Sequence, residues 1–326
     1  MMKGITILLM MYDHLVQAPA GVSQFIYSFH MPLFFILAGV YAKNIEAIPS
    51  FKEYTRKNAK RLLLPYVVTF LMLCAWGAIQ AVAKHDAGFF LKQFFSMLAA
   101  TIDGYESPWG LIYAGPMWFL VALFWVRELF YGIQRACMCA PKYKDELIVG
   151  ICVALSVASV LIRPYLPALP FCILPAFTSI AFYAVGWYIH NHPQPLWIYG
   201  LCVFAWPIAY LYGKVELDVC RLDYYPLSFI GACGGTYMVY LLCKGLDKLG
   251  TFTRSFVHPL TGSLAWCGMY SLPILCMHEL EMHSDIYYSV MCRFSMSCER
   301  ACGGGVIAIL FAWSIVRIPY LKEVYK

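Results

Sequence analysis

Three histidines stand inside long apolar runs of the sequence: His14, His30 and His278. A neutral imidazole is well suited to removing a proton from a hydroxyl near pH 7. Ionisable side chains are costly to bury in lipid, and for that reason they usually mark a functional site. Two other interpretations remain open: each histidine is a hydrogen-bonded structural residue near a membrane surface, or the three form a proton relay.

A second group of candidate residues is basic: Arg56, Lys57, Lys60 and Arg61 precede the apolar run Leu62–Tyr66. Such clusters commonly anchor a membrane helix on its cytoplasmic side. They can also bind a phosphorylated ligand, because a guanidinium group donates two parallel hydrogen bonds to phosphate. Arg61 is the stronger candidate of the four, since it lies where the apolar run begins.

The elements that must position these side chains are membrane helices. Hydrophobic residues make up 61% of the chain and charged residues 13%, whereas about 25% of a soluble domain is charged. The mean hydropathy is +0.66, and a transmembrane helix needs about 20 mostly apolar residues. The fold class predicted is an all-α polytopic bundle of about ten transmembrane helices, near 3–20, 26–43, 62–83, 112–134, 147–164, 171–190, 196–213, 226–244, 263–282 and 303–320.

The rest of the chain adds little to this bundle. The amphipathic, aromatic stretch 85–111 is predicted to lie along the membrane surface. We see no linker or internal repeat, so a single domain is expected over residues 1–326. The first apolar run has no small-residue cleavage site, which indicates that it is not a cleavable signal peptide. Its abrupt start at Lys3 leads us to expect a few further residues upstream.

The distribution of Lys and Arg gives the bundle a direction. If the N-terminus is inside and ten helices alternate, the inside segments hold 17 of the 24 basic residues. This excess predicts that both termini are cytoplasmic. The net charge of +6 therefore describes an orientation in the membrane rather than an acidic partner.

This direction places the three histidines at one depth, towards the outer leaflet. His14 lies in the outer half of the first helix, His30 near the outer start of the second and His278 near the outer end of the ninth. Trp118 lies at a similar depth. Asp13 and Glu279 are adjacent in sequence to two of the histidines, but neighbours on a helix point about 100° apart. Neither carboxylate is therefore assured as an orienting partner.

The 14 cysteines do not predict a metal site. Most stand singly in apolar runs, where cysteine behaves as a small hydrophobic residue, and no pair has zinc-site spacing with histidines. Cys292, Cys298 and Cys302 share one short polar loop that is predicted to face outward, and a disulfide among them stays open.

Several motifs resemble those of the acyltransferase-3 family of integral membrane acyltransferases. Lys3–Ile5, followed by an aliphatic run to His14, is similar to the first-helix signature of a basic residue, ten intervening residues and a histidine. Phe29–Phe35 and then Ala38–Gly39 closely resemble the family's second-helix pattern. The His-Met-Pro sequence with its phenylalanines is the most specific of these matches.

Further matches follow in order along the chain. Lys60–Tyr66 resembles the start of the family's third helix, and Gly115–Leu120 is similar to its Trp-Phe-Leu motif. Tyr270–Leu272, leading to His278, resembles its late segment that ends in a histidine. The pattern is nearest to the subgroup of fucose 4-O-acetylases and related polysaccharide acetyltransferases. The chain departs from the family in having Lys3 where many members have Arg, and it begins too late to show the Asp that commonly precedes this position.

The resemblance implies transfer of an acyl group, usually acetyl, from cytosolic acetyl-CoA to a sugar hydroxyl of a cell-surface glycan or its lipid-linked precursor. His14 would be the general base or a transient acyl acceptor, His30 would orient it or stabilise the oxyanion, and His278 would help to place the acceptor hydroxyl. Lys3 and Arg61 would bind the donor, and Trp118 is the candidate substrate-binding residue.

The expected partners are acyl-CoA, the glycan or lipid-linked acceptor and the lipid bilayer, with no metal and no nucleic acid. The expected location is the bacterial cytoplasmic membrane. A transporter or flippase for a glycolipid or small metabolite is the main alternative. Transporters often show paired halves or broken helices in matching positions, and the sequence shows neither. A third alternative is a non-catalytic partner of a glycan-assembly complex.

Overall fold

The chain folds into a bundle of helices with one short β-hairpin. The computed structural model describes residues 1–16, 19–48, 50–84, 115–166, 169–252, 257–282 and 297–325, together with the isolated positions 88, 91 and 95. The helices are α1 (Met2–Val16), α2 (Ala20–Tyr27), α3 (His30–Val40), α4 (Phe51–Lys84), α5 (Trp118–Cys137), α6 (Lys144–Ile162), α7 (Ile173–Asn191), α8 (Leu196–Tyr212), α9 (Tyr225–Phe252), α10 (Val257–Met269), α11 (Ser271–Met282), α12 (Ser297–Ile315) and α13 (Pro319–Val324). Strands β1 (Val215–Glu216) and β2 (Arg221–Leu222) pair antiparallel between α8 and α9.

The predicted all-α polytopic bundle is confirmed. Within the described ranges, six helical segments are long and apolar enough to cross a membrane, and a bent pair, α10 with α11, counts as a seventh if it forms one span. The three remaining predicted segments fall on α1, α8 and α12. Each of the ten predicted segments therefore overlaps a helix.

The loops that the alternating topology assigns to the inner side contact one another. The indole Nε1 of Trp187 donates a 2.6 Å hydrogen bond to Asn44 Oδ1, and the backbone amide of Ile45 donates to Gln134 Oε1 at 2.9 Å. Lys144 pairs with Glu46 across the same surface. We refer to this end of the bundle, where the basic residues collect, as the basic end. The opposite end, which carries the hairpin, is the outer end.

A close backbone crossing fixes α3 in the bundle. A Cβ atom added to Gly39 would overlap the carbonyl oxygen of Tyr183, and one added to Gly186 would overlap that of Ile36. The two helices thus approach through a reciprocal pair of glycines. In lipid, association of helices depends on such close van der Waals packing of small residues. The crossing holds the helix that begins with His30.

Prolines set two breaks in the helices that carry histidines. Proline has no N–H, and its ring clashes with the carbonyl group four residues earlier in a helix. For Pro32 this carbonyl group belongs to Ser28, which lies between α2 and α3. For Pro273 it belongs to Met269, where α10 ends. The α10–α11 break bends the chain by 77°. This is one bent pair among the described helices, so it does not contradict the prediction that broken helices are absent from matching positions of two halves.

Two predictions fall outside the described part of the chain. The surface-lying stretch 85–111 contains only three of the described positions, 88, 91 and 95. For the Cys292–Cys302 segment, no side chain belongs to the described set.

The glycine crossing predicts a stability difference between two matched substitutions. Gly186→Ala would place its Cβ 2.8 Å from the carbonyl carbon of Ile36 and 3.0 Å from the amide nitrogen of Val40. Overpacking of this kind costs about 1–3 kcal/mol, so the thermal unfolding midpoint in detergent should fall. Gly150→Ala in α6 meets no atom within 4 Å, and the midpoint should stay equal or rise, because alanine favours helix by about 1 kcal/mol. Equal midpoints for the two variants would contradict the role of the crossing.

Candidate active site

His14 and His278 come together in the interior of the bundle. His14 lies near the end of α1 and His278 lies on α11, two helices that pack against each other. Their ring centroids are 5.9 Å apart with an interplanar angle of 56°. His278 is completely buried and His14 is half-buried. The structure thus places side chains 264 positions apart in sequence beside each other in the apolar core.

His30 lies next to this pair and has a defined tautomer when neutral. Its Nδ1 is 3.0 Å from the carbonyl oxygen of Ile26. A carbonyl can only accept a hydrogen bond, so Nδ1 donates and Nε2 carries the lone pair. The ring packs edge-on against Tyr27 with the centroids 4.8 Å apart. His30 is near enough to His14 for charges on the two rings to interact.

The depth predicted for His30 needs correction. The hydropathy pattern predicts that the second span starts at residue 26, which places His30 near its outer start. The span in fact runs from Ala20 to Val40, and His30 lies halfway along it. At a rise of about 1.5 Å per residue, ten helical residues cover about 15 Å. His30 therefore lies about 15 Å along its span rather than near the outer start of it.

The carboxylate beside His278 is Glu281, which sequence reasoning missed. Glu281 Oε2 is 3.4 Å from His278 Nδ1, and Glu281 is 5% exposed. The two residues are three apart, so they lie on one face of α11. That spacing was the signal in the sequence that could have identified the pair. A buried carboxylate at this distance can orient the imidazole and stabilise its protonated form.

Glu279 is adjacent to His278 in sequence, but its carboxyl group packs against a glycine. Its carboxyl group lies against Gly115, where a Cβ atom would come within 2.8 Å of Cδ and 2.9 Å of Oε1. Gly115 has φ +38°, a value that glycine adopts without the strain other residues would meet. The Gly-Pro sequence before α5 therefore makes room for a buried carboxyl group. Asp13 Oδ1 is also buried, and it has no hydrogen-bond partner among the described residues.

A cavity of about 370 Å³ opens towards the basic end below the histidines. Lys3 of α1, Arg61 of α4 and Arg127 of α5 all line it. Much of the remaining wall is apolar, with Ile7 and Leu123 among its residues. A pocket with mainly apolar walls and a few convergent polar groups is typical of a small-molecule site. We call this space the inner cavity.

The lining of the inner cavity reaches to within one helical turn of each histidine. Met10 lines it and precedes His14 by four residues on α1, and Phe34 lines it and follows His30 by four on α3. Leu275 also lines the cavity, and it precedes His278 by three residues on α11. One turn of helix rises about 5.4 Å. A ligand anchored by the basic residues therefore points its far end at the histidines.

The two predicted donor-binding residues, Lys3 and Arg61, thus line one cavity, and the structure adds Arg127 to them. Arg127 Nη1 donates to Asn58 Oδ1 at 3.3 Å, and Asn58 Nδ2 donates to Glu128 at 2.8 Å. The guanidinium group is therefore held by α4 and α5 together. From the sequence, Arg127 was predicted only as one of the basic residues on the inner side. Its position within the predicted helix 112–134 was the signal that could have marked it.

Trp118 does not line the inner cavity. It starts α5, is 6% exposed and packs against Phe35 with the ring centroids 6.4 Å apart. Its sequence neighbour Phe119 lines the cavity instead. The structure places Trp118 as a packing residue behind the wall rather than in contact with the inner cavity.

The arrangement can place a base beside the end of a long, partly charged ligand. Imidazole, with a carboxylate behind it, can take a proton from a hydroxyl or bear a group transiently. The basic residues at the opposite end of the cavity suit phosphate groups. This combination fits transfer of a group between two substrates.

Comparison with known proteins gives one match. No curated protein and no solved structure matches the chain significantly. The family described as acyltransferase domain, acyltransferase-3, matches residues 1–317. This match covers nearly the whole chain and includes every histidine and basic residue of the candidate site. The protein therefore belongs to the acyltransferase-3 family and is a membrane acyltransferase.

Proposed function

We propose that the protein transfers an acetyl group from acetyl-CoA, bound at the basic end, to a sugar hydroxyl that approaches from the outer end. The observation that carries this proposal is the inner cavity itself. Lys3, Arg61 and Arg127 come from three helices to line it, and its lining reaches to within one helical turn of the histidines. The acceptor belongs to a surface glycan or its lipid-linked precursor, and the protein resides in a bacterial cytoplasmic membrane.

The composition of the inner cavity supports a CoA thioester as the donor. CoA joins a phosphorylated nucleotide to a long, uncharged pantetheine arm that ends in the thioester. Arg61 and Arg127 can form paired hydrogen bonds with phosphate, whereas Lys3 can supply a point charge. The apolar wall formed by residues such as Ile7 and Leu123 suits the arm. The thioester would then lie beside Met10, Phe34 and Leu275, close to the histidines.

The proposed reaction uses His14 as the general base. Its imidazole takes the proton from the sugar hydroxyl as the oxygen attacks the thioester carbonyl carbon. The tetrahedral intermediate collapses with cleavage of the C–S bond, and the imidazolium returns the proton to the departing thiolate. His30 would orient His14 or stabilise the oxyanion, and His278, backed by Glu281, would place the acceptor hydroxyl. A transient acetyl-histidine on His14 uses the same residues in two steps.

A transporter of a glycolipid or small metabolite is the second candidate, and the break between α10 and α11 favours it. Discontinuous helices are common in transporters, where they occur as pairs in the two halves of the fold. Here a single pair among the described helices is bent by more than 40°. Binding and slow hydrolysis of acetyl-CoA by the purified protein would distinguish the acyltransferase from this alternative.

Substitutions at the basic residues should weaken donor binding. A hydrogen bond to a charged group contributes about 1.5–3 kcal/mol, so Arg61→Gln and Arg127→Gln should each raise the Kd for acetyl-CoA at least about tenfold. Isothermal titration calorimetry on protein purified in detergent measures this change. S-acetylpantetheine lacks the nucleotide and its phosphates, so its Kd should stay unchanged.

Arg135 provides the matched control for the donor site. It lies two turns further along α5, is exposed, and donates only to Met138 Sδ among the hydrogen bonds of the described residues. Arg135→Gln should leave the Kd for acetyl-CoA at the wild-type value. If Arg127→Gln and Arg135→Gln weaken acetyl-CoA binding equally, the weaker binding results from the loss of a positive charge in general and not from a contact in the inner cavity.

Substitutions at His278 and Glu281 should behave as one unit. His278→Ala and Glu281→Gln should each lower the initial rate of acetyl transfer from radiolabelled acetyl-CoA into membrane glycan by about 10²-fold. The double variant should lose little more, because residues that act together give strongly non-additive losses. The exposed His190, at the basic end, is the control, and His190→Ala should retain full activity.

Two results would count against this assignment. Additive losses in the His278 and Glu281 variants would show that the carboxylate acts independently of the imidazole. Full activity in both His14→Ala and His30→Ala would remove the histidine cluster from the reaction.

A further inference from the structure

A second cavity, also of about 370 Å³, lies at the outer end of the bundle. Its polar lining comes from two elements: α2 contributes Ser23, Gln24 and Tyr27, and the hairpin contributes Lys214, Glu216 and Asp218. These are hydroxyl, amide, aromatic and charged side chains. We call this space the outer cavity. The family motifs do not include the hairpin residues that line it.

The walls of the outer cavity are held by hydrogen bonds. Arg221 Nε and Nη2 donate to the two carboxylate oxygens of Asp223 at 2.8 Å each, and Arg221 Nη1 is 3.7 Å from Glu216 Oε2. Gln24 Nε2 donates to the backbone carbonyl groups of Tyr210, at 2.5 Å, and Gly213, at 3.3 Å. The second set of bonds ties α2 to the base of the hairpin, so both walls keep a fixed spacing.

The ring of Tyr27 lies between the outer cavity and His30. This residue lines the outer cavity, and its ring packs against His30. Phe34, four residues after His30 on the same helix, lines the inner cavity. His30 is therefore situated between the two cavities, with its Nδ1 engaged by Ile26. A ligand in each cavity would approach the histidines from opposite sides.

The charge of the lining restricts which ligand can enter. The hairpin segment 214–223 carries Glu216, Asp218 and Asp223 against Lys214 and Arg221, a net charge of −1. Carboxylate and amide oxygens accept hydrogen bonds from sugar hydroxyls, and an aromatic ring offers a face to a sugar. An anionic group would meet like charge in a confined space and lose its hydration.

We propose that the outer cavity binds the acceptor and that the sugar unit receiving the acetyl group is neutral or cationic, not a uronic acid, sialic acid or phosphorylated sugar. This inference rests on the proposed acetyl transfer and adds the location and charge class of the acceptor. Glu216 and Asp218 accept hydrogen bonds from hydroxyls that flank the reacting one. Tyr27 sets the depth to which the sugar enters, because it stands between the cavity and His30.

The test uses a bacterial strain from which the gene is deleted and then restored as wild type or variant. Mass spectrometry of the surface glycans identifies the sugar unit that carries the gene-dependent acetyl ester. That unit should be a neutral sugar or an amino sugar. Glu216→Gln and Asp218→Asn should each reduce the ester content to less than about a tenth, since a lost hydrogen bond to a charged group is worth about tenfold or more.

Controls separate this inference from the proposed function. Purified Glu216→Gln and Asp218→Asn should keep the wild-type Kd for acetyl-CoA, which also shows that both variants fold. Glu146→Gln removes an exposed carboxylate at the basic end and should leave the ester content unchanged. An ester on an anionic unit, or wild-type ester content in both hairpin variants, would overturn the inference while acetyl transfer stands. Identical glycans with and without the gene would overturn the proposed function itself.

Discussion

The shape of the site depends on the inability of proline to donate a backbone hydrogen bond. Pro32 and Pro273 each follow a helix break, and each is the third residue of a short helix that carries a histidine. The break before α11 bends the chain by 77°, whereas α3 continues the span that α2 begins. His278 and His30 thus reach the neighbourhood of His14 from two different spans.

A second constraint follows from the bilayer, where a polar side chain must find its partner inside the bundle. His278 does so with Glu281 and His30 with the carbonyl group of Ile26. Arg127 is held through Asn58, which also donates to Glu128. Each partnership fixes a side chain that would otherwise be costly to bury. The same contacts that make burial tolerable therefore preset the orientation of the histidines and of Arg127 in the inner cavity.

Hydropathy and charge were sufficient to predict the helical segments. The order of the motifs was sufficient to select Lys3, Arg61 and the three histidines as candidate site residues. Contacts across the bundle were not predictable in this way. The choice between Glu279 and Glu281 depends on the face of a helix whose start is set by Pro273. The sequence also does not show whether a helix continues past a proline. The helix α4 continues through Pro65, whereas α10 ends ahead of Pro273. The hairpin strands have two residues each, too short for any periodic signal.

The two cavities explain how a membrane enzyme of this design can work with a highly charged donor. A charged group is costly to move through lipid, and the inner cavity keeps its three basic residues at the end remote from the histidines. On the proposed function, the phosphates of CoA stay with those residues, and only the uncharged arm extends between apolar walls. On the further inference, the acceptor binds the polar lining of the outer cavity at the hairpin. Only the acetyl group then moves from the inner cavity to the outer cavity, and it does so in the transfer reaction itself, without transport of the donor.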